Sequence, residues 1–257
     1  MSSISSYKGR VLVTGSTSGF GQAIARHFAA HHWQVIGTGR RLERLNELKA
    51  ELGDAFIPLC FDVSKREEVQ AALQTLDFNQ HPLDVLINNA GLALGLGAAD
   101  EVHWEDWETM VQTNINGVLY MTKAVLPFFV DQKGGLMINI SSVAASYSYP
   151  GSNVYGATKA FLTQFSLNLR ADLVKKGIRV TSIEPGLAET EFSVVRFKGN
   201  QEKADAVYQG TKPILPQDIA EMCYWVASLP KHLNINRLEV MAGCQGFGPF
   251  QVVRGDA

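Results

Sequence analysis

Seven short apolar runs alternate with stretches whose apolar residues recur at helical spacing, and this alternation constrains the chain more than any other feature. The runs cover residues 10–15, 34–39, 55–61, 85–87, 136–140, 179–183 and 238–241. Between them lie helical patterns at 22–29, 42–52, 65–76, 104–130, 153–176 and 216–228. A strand covered on both faces reads as a continuous apolar run, and parallel strands need a crossover long enough to hold a helix. The pattern therefore predicts an α/β fold, a doubly wound and mostly parallel sheet. With 257 residues and no internal repeat or linker, it is expected as a single domain, 1–257. A hydrophobic fraction of 46% against 19% charged residues excludes general disorder.

In such sheets ligands bind beyond the carboxyl ends of the strands. The first run leads into Gly15, Ser16, Thr17, Ser18, Gly19, Phe20 and Gly21, spaced G-x-x-x-G-x-G. Glycines let the backbone approach a pyrophosphate, and the following helix offers free N–H groups and the positive end of its dipole. The second run ends in Arg40 and Arg41, where an acidic residue would hold a ribose 2′-hydroxyl and an arginine would accept a 2′-phosphate. Cations are disfavoured at a helix start, so an anionic partner is expected for at least one of them. The third run ends in Asp62 and Val63, with Ser64 expected to cap the next helix. The fourth ends in Asn88, Asn89, Ala90 and Gly91, small and amide-bearing residues suited to a ligand crevice. The 104–130 stretch reads as a long, broken helix with Asn114 inside it.

The chemistry concentrates at 139–165. Tyr155 and Lys159 are four residues apart, so a helix puts them on one face. An ammonium near a phenol favours the phenolate and draws the phenol toward acid/base work at neutral pH. Ser142, at the end of the fifth run, can hold a carbonyl or alcohol oxygen beside the phenol. A second Y-x-x-x-K, Tyr208 and Lys212, contains Gly210 and runs into Pro213, and is expected in a solvated loop or helix end. The 153–176 stretch is apolar well beyond one stripe, which suggests burial against the sheet and a second subunit. Residues 191–215 are polar and irregular, expected as a lid that presents Arg196 and Lys198. The Gly-rich tail, 244–257, is expected to cover a neighbour or hang loose.

Net charge is −2, which gives no basic footprint for nucleic acid. No apolar run reaches the roughly 20 residues of a membrane span, and the first residues lack a secretory signal's apolar core. Cys60, Cys223 and Cys244 have neither metal-ligand nor disulfide spacing, so buried free thiols in a reducing cytoplasm are expected, with no metal.

Taken together these markers resemble the short-chain dehydrogenase/reductase family, from about residue 11 to 241. They stand in family order: Thr14, Gly15, Gly19 and Gly21; Asp62; the Asn88 to Gly91 motif; Asn114; Ser142; Tyr155 and Lys159; Pro185, Gly186 and Thr190. NNAGLALG at 88–95, EDWETM at 105–110, NVYGATKAF at 153–161, FSLNLR at 165–170, VRFKG at 195–199 and HLNIN at 232–236 are similar to the NADP-dependent 3-hydroxy acid dehydrogenases. The resemblance implies a Rossmann fold, NADP as cofactor, and a tetrad of Asn114, Ser142, Tyr155 and Lys159. It implies a proton-relay water held by Asn114 and ribose hydroxyls bound by Lys159. Cofactor contacts are implied for the glycine loop, Arg40, Arg41, Asp62, Val63, Asn89, Gly91, Tyr155, Pro185, Gly186, Ala188 and Thr190. Substrate contacts are expected from Ser142, Tyr155 and Arg196. The implied assembly is a homotetramer, and the implied reaction is hydride exchange between NADP(H) and a small 3-hydroxy acid of the serine, allo-threonine or 3-hydroxypropionate type. A reductase of another carbonyl, a non-catalytic NADP(H)-sensing protein and an enzyme of another nucleotide are the alternatives.

Overall fold

The computed structural model describes residues 7–248. The first six residues and 249–257 of the expected tail lie outside the described residues. Seven strands form one sheet: β1 (Arg10–Val13), β2 (Gln34–Gly39), β3 (Phe56–Cys60), β4 (Val85–Asn88), β5 (Gly135–Ile140), β6 (Ile178–Pro185) and β7 (Arg237–Val240). Their order is β3-β2-β1-β4-β5-β6-β7, and every neighbouring pair is parallel. Connections run outward from β1 on one side and from β4 on the other. The point of reversal, between β1 and β4, is where such a sheet opens a crevice.

Side chains alternate across the sheet, so each strand feeds two cores. Val11 and Val13 join Val85, Ile87 and Ile138 under α1 (Gly19–Ala30), α2 (Leu42–Leu52) and α9 (Pro216–Ser228). Leu12, Ile36, Leu86 and Met137 face the other way. They meet α3 (Arg66–Gln74), α5 (Gly117–Asp131) and α6 (Asn153–Leu173). Phe28, Phe56 and Phe129 are fully buried, each contributing about 1.5–3 kcal/mol of apolar transfer. The backbone of β2 is shaped to one of them: a Cβ on Gly37 would lie 2.2 Å from the Phe56 ring.

Several local expectations change. Ser64 does not cap α3. Its N–H and hydroxyl both donate to Asp62 Oδ1 at 2.9 and 2.8 Å, and Lys65 takes the cap position without a side-chain bond. The short Asx loop competes with the cap because the carboxylate is only two residues away. The 104–130 helix is broken as expected, into α4 (Trp104–Val111), a π turn at Gln112–Asn116 and α5. Residues 191–215 are not irregular but hold α7 (Glu191–Arg196) and α8 (Gln201–Ala206), capped by Thr190 and Asn200. Cys223 is buried, whereas Cys60 and Cys244 are exposed, because Cys60 ends an edge strand and Cys244 follows the last one. No helix among the described residues is long and apolar enough to cross a membrane.

Candidate active site

A crevice of about 370 Å³ opens at the carboxyl ends of β1, β4, β5 and β6. It is lined by the glycine loop, Arg40, Arg41, Asp62, Val63, Asn89, Gly91, Ser142, Tyr155, Lys159, Pro185, Gly186, Ala188 and Thr190. Most of the residues expected to touch a cofactor thus line one cavity.

The glycine loop owes its shape to close approach. Gly19 sits at φ +49°, and a Cβ there would lie 3.3 Å from Thr190 on the opposite wall. On Gly21 a Cβ would come within 2.2 Å of the Gly15 carbonyl oxygen. Gly21 therefore serves the packing of α1 against the loop, and it does not line the crevice. Ser16 does not line it either: it is fully buried, and its hydroxyl donates to the Val13 carbonyl at 2.8 Å. Asn89 donates its amide to the Thr14 and Gly15 carbonyls at 2.8 and 3.3 Å. The strand-end motif after β4 thus stitches itself to the loop after β1.

Each of the paired arginines has an acidic partner. Arg41 donates to Thr17 through Nε and Nη2 and meets Glu191 at 3.1 Å, so it bridges the glycine loop and α7. Arg40 is 3.6 Å from Asp62 and its side chain is 66% exposed, which leaves it the freer cation at that end of the crevice.

Tyr155 and Lys159 lie one turn apart on α6, both buried. The Lys159 ammonium donates to the Ile140 carbonyl at 2.8 Å and lies 5.8 Å from the Tyr155 ring centre. Burial pushes the lysine down to about 8. The expected lowering of the phenol by Lys159 is not seen. Burial raises Tyr155 well above its ordinary value, Tyr149 adds to this, and Ser142 and Arg196 pull it back. Desolvation of the phenolate dominates, and the cation that pulls it down is Arg196 rather than Lys159. Ser142 donates to the Pro185 carbonyl at 3.3 Å and accepts from the Ala144 N–H at 3.1 Å, which aims its hydroxyl between β5 and β6.

Asn114, in the π turn, is 1% exposed and does not line the crevice. It donates both amide hydrogens, to the Leu92 carbonyl at 2.8 Å and the Thr158 hydroxyl at 3.0 Å, and accepts from the Leu92 N–H at 2.9 Å. Its side chain therefore braces the loop after β4 against α6, and only one lone pair of Oδ1 remains for a water.

Arg196, at the end of α7, donates to the Gly95 carbonyl at 3.2 Å and the Tyr149 hydroxyl at 3.0 Å. Its guanidinium carbon lies 5.6 Å from the ring centres of both Tyr149 and Tyr155. Lys198 points elsewhere, to Asp106 at 2.8 Å. Phe192 closes the other side of Tyr155, with ring centres 5.5 Å apart.

A polar network behind the crevice escaped sequence reasoning. Ser141 and Thr163 bring two hydroxyl protons to three contacts: Ser141 with the Lys159 carbonyl at 2.9 Å, the two hydroxyls with each other at 2.8 Å, and Thr163 with Glu184 at 3.2 Å. Glu184 is fully buried, and Arg237 grips it with Nε at 3.0 Å and Nη2 at 2.6 Å. Nothing local marks Glu184 and Arg237 as partners. A charged residue directly at the end of an apolar run, Glu184 after 179–183, is the one available signal, since a buried carboxylate demands a cation.

Residues 9–201 match the family model described as short chain dehydrogenase. A serine 3-dehydrogenase of Agrobacterium fabrum is 56% identical over 96% of this chain and 98% of its own. The NADP-dependent 3-hydroxy acid dehydrogenase YdfG of Escherichia coli K12 is 52% identical over 95% of this chain and 99% of its own. Among solved structures, the closed form of a serine dehydrogenase complexed with NADP+ superposes with a TM-score of 0.94 at 51% identity, covering 96% of this chain and 100% of that one.

Proposed function

The chain belongs to the short-chain dehydrogenase family, and on that premise we propose that it exchanges a hydride between NADP(H) and the C3 hydroxyl of a small 3-hydroxy acid. It is an NADP-dependent oxidoreductase acting on hydroxyl groups. The observation that carries the finer reading is the placement of the Arg196 guanidinium carbon 5.6 Å from the Tyr155 ring centre; Arg196 itself does not line the crevice, but it follows Val195, which does, and Phe192 of the same helix packs on Tyr155.

The crevice suits the cofactor on its own geometry. A glycine loop too tight for side chains faces a helix N-terminus, and Arg40 offers an exposed cation where a 2′-phosphate would need one. Bound there, NADP(H) supplies or accepts the hydride. Tyr155 takes the hydroxyl proton in oxidation and returns it in reduction. Ser142 holds the substrate oxygen. Lys159, kept near 8 by burial, carries charge without a strong hold on its proton and stabilises the phenolate as it forms. Asn114 fixes the loop and helix that carry these groups. Arg196 pairs with the substrate carboxylate, which its planar fork suits. Phe192 then excludes water, with α7 and α8 as the lid. The half-buried Phe161 and Phe165, stacked 5.5 Å apart on α6, support a subunit contact such as a homotetramer would use.

A panel of serine, L-allo-threonine, 3-hydroxypropionate and uncharged alcohols, each assayed with NADP+ and NAD+, tests this. The expected result is turnover of the acids with clear preference for NADP+. Equal use of NAD+, or activity confined to uncharged alcohols, sinks the finer reading. Tight NADPH binding without any turnover points to a sensor instead.

A further inference from the structure

The second Y-x-x-x-K lies at a helix end with Lys212 exposed, as expected, but its tyrosine is not solvated. Tyr208 is half-buried, and its hydroxyl meets the Ala188 carbonyl of the crevice wall at 2.9 Å and the hydroxyl of buried Ser193 on α7. A phenol has a single proton. Ala188 oxygen can only accept, so that proton goes to Ala188, and Ser193 donates to Tyr208. The order Ser193 to Tyr208 to Ala188 is thus fixed by the count of hydrogens.

The bond to Ala188 completes the suspension of the segment that follows β6. The Gly186 N–H donates to the Val240 carbonyl at 2.7 Å, and the Leu187 N–H to Gln245 Oε1 at 2.6 Å. The Leu187 carbonyl accepts from the Ile214 N–H, and the Glu189 N–H donates to the Ile214 carbonyl. The Ala188–Glu189 peptide is therefore held on both edges, by Ile214 at its N–H and by Tyr208 at its oxygen. Tyr208 alone among these supports also grips α7, through Ser193. It follows directly on α8, so one oxygen atom joins both lid helices to the crevice wall.

We propose that Tyr208 is a positioning residue for the reaction: it sets the 185–190 wall and the α7 lid as one rigid piece, so that Phe192 and Arg196 stand in register with Tyr155. This rests on the functional reading above. Removing the phenol oxygen leaves the wall attached to the sheet and joined to α7 through the Thr190 cap, but deletes the side-chain link from Ala188 to Ser193.

The test compares three variants of the full chain. Tyr208→Phe deletes the shared oxygen. Ser193→Ala cuts only the link to α7. Thr211→Val removes a hydroxyl that bonds the Tyr208 carbonyl at 2.7 Å and touches neither wall nor lid, so it reports a purely structural loss nearby. Tyr208→Phe is expected to lower kcat/KM for the 3-hydroxy acid by about tenfold, the scale of one well-placed hydrogen bond. It should also weaken NADPH binding, read by the fluorescence of the bound nucleotide. Ser193→Ala should lower kcat with little change in NADPH binding. Thr211→Val should lower Tm alone. Wild-type kinetics and NADPH binding in Tyr208→Phe, even with a lower Tm, overturn the proposal. If Tyr208→Phe does not fold, unchanged kcat in Ser193→Ala overturns it equally. Should the wild type turn over no hydroxy acid, the functional reading fails. NADPH binding by Tyr208→Phe against Thr211→Val then still decides whether Tyr208 sets the wall.

Discussion

The chain carries the same five-residue pattern twice, and the two copies have opposite fates. Tyr155 and Lys159 sit on one face of a 21-residue helix, 8% and 5% exposed, over the ends of β5 and β6. Tyr208 and Lys212 sit in a turn after α8, with Gly210 at φ +75° between them, and Lys212 is exposed. Helical spacing becomes chemistry only where a helix exists to convert it into a shared face. A helix there is not sufficient either, since the first pair draws its properties from burial rather than from mutual contact. In the second copy only the tyrosine is used, and for a structural bond.

The comparison breaks most sharply at Tyr155. Tyr155→Phe keeps the ring against Phe192 and removes the proton. General acid–base catalysis is worth about 10²–10⁴-fold, so kcat should fall by that order while NADPH binding persists. Near-normal turnover, measured with NADP+ and serine, would place the acid/base elsewhere and erase the difference between the copies.

Lys159 sharpens the comparison through stability. Its pKa falls from 10.5 to about 8 on burial. Below about pH 8 the lysine is protonated in both folded and unfolded states, and folding bears the full burial cost. Between about 8 and 10.5 the unfolded chain binds more protons, so stability from this group rises with pH. The span corresponds to about 3 kcal/mol as an order of magnitude. Lys159→Met should remove that rise, so its urea midpoint at pH 8 and pH 9.5 should differ less than the wild type's. A parallel dependence in both proteins would mean that Lys159 titrates near its ordinary value.

Arg196 comes next. Arg196→Met should cut kcat/KM for 3-hydroxy acids by about 10–100-fold, since charged hydrogen bonds contribute roughly 1.5–3 kcal/mol. A short uncharged diol should lose little from the missing carboxylate contact. Because Arg196 also draws the Tyr155 phenol down, the rate profile of both substrates should move to higher pH. Equal losses for acid and diol with no pH displacement would show that Arg196 only holds Gly95 and Tyr149.

How much of this was legible in the sequence follows from how local each cause is. The seven strands, α2 and α9 could be read because apolar period and length are written within each stretch. The crevice was legible for a related reason: in a parallel sheet every strand end faces the same way, so strand-end residues such as Gly15, Asn89, Ser142 and Pro185 must converge. What escaped depends on partners far apart in the chain. Glu184 is held by Arg237, Leu187 by Gln245, and Ala188 by Tyr208, and none of these pairs follows a period. Ser64 was misplaced as a cap because Asp62 stood close enough to compete for it. The phenol's shift had the wrong sign because spacing shows the neighbouring charge and not the depth of burial.

The smallest expected effect is at Lys212, and it tests the comparison from the other side. Lys212 is exposed, stands in a turn before Pro213, and has no helix to carry its charge toward Tyr208. Exposed substitutions away from buried contacts usually stay within about 0.5 kcal/mol. Lys212→Met should therefore leave kcat, the KM for both substrates and the pH profile at wild-type values, with Tm nearly unchanged. The contrast with Tyr208→Phe, four residues away, is the informative part. If the second copy worked as a phenol–ammonium pair, removing the lysine would reproduce a good share of the tyrosine's loss and would displace the pH profile. If Tyr208 acts only as a bond between Ser193 and Ala188, the charge at Lys212 is irrelevant and the two variants separate cleanly. A pH displacement in Lys212→Met, measured on kcat/KM between pH 6 and pH 10, would show that the second copy has chemistry of its own.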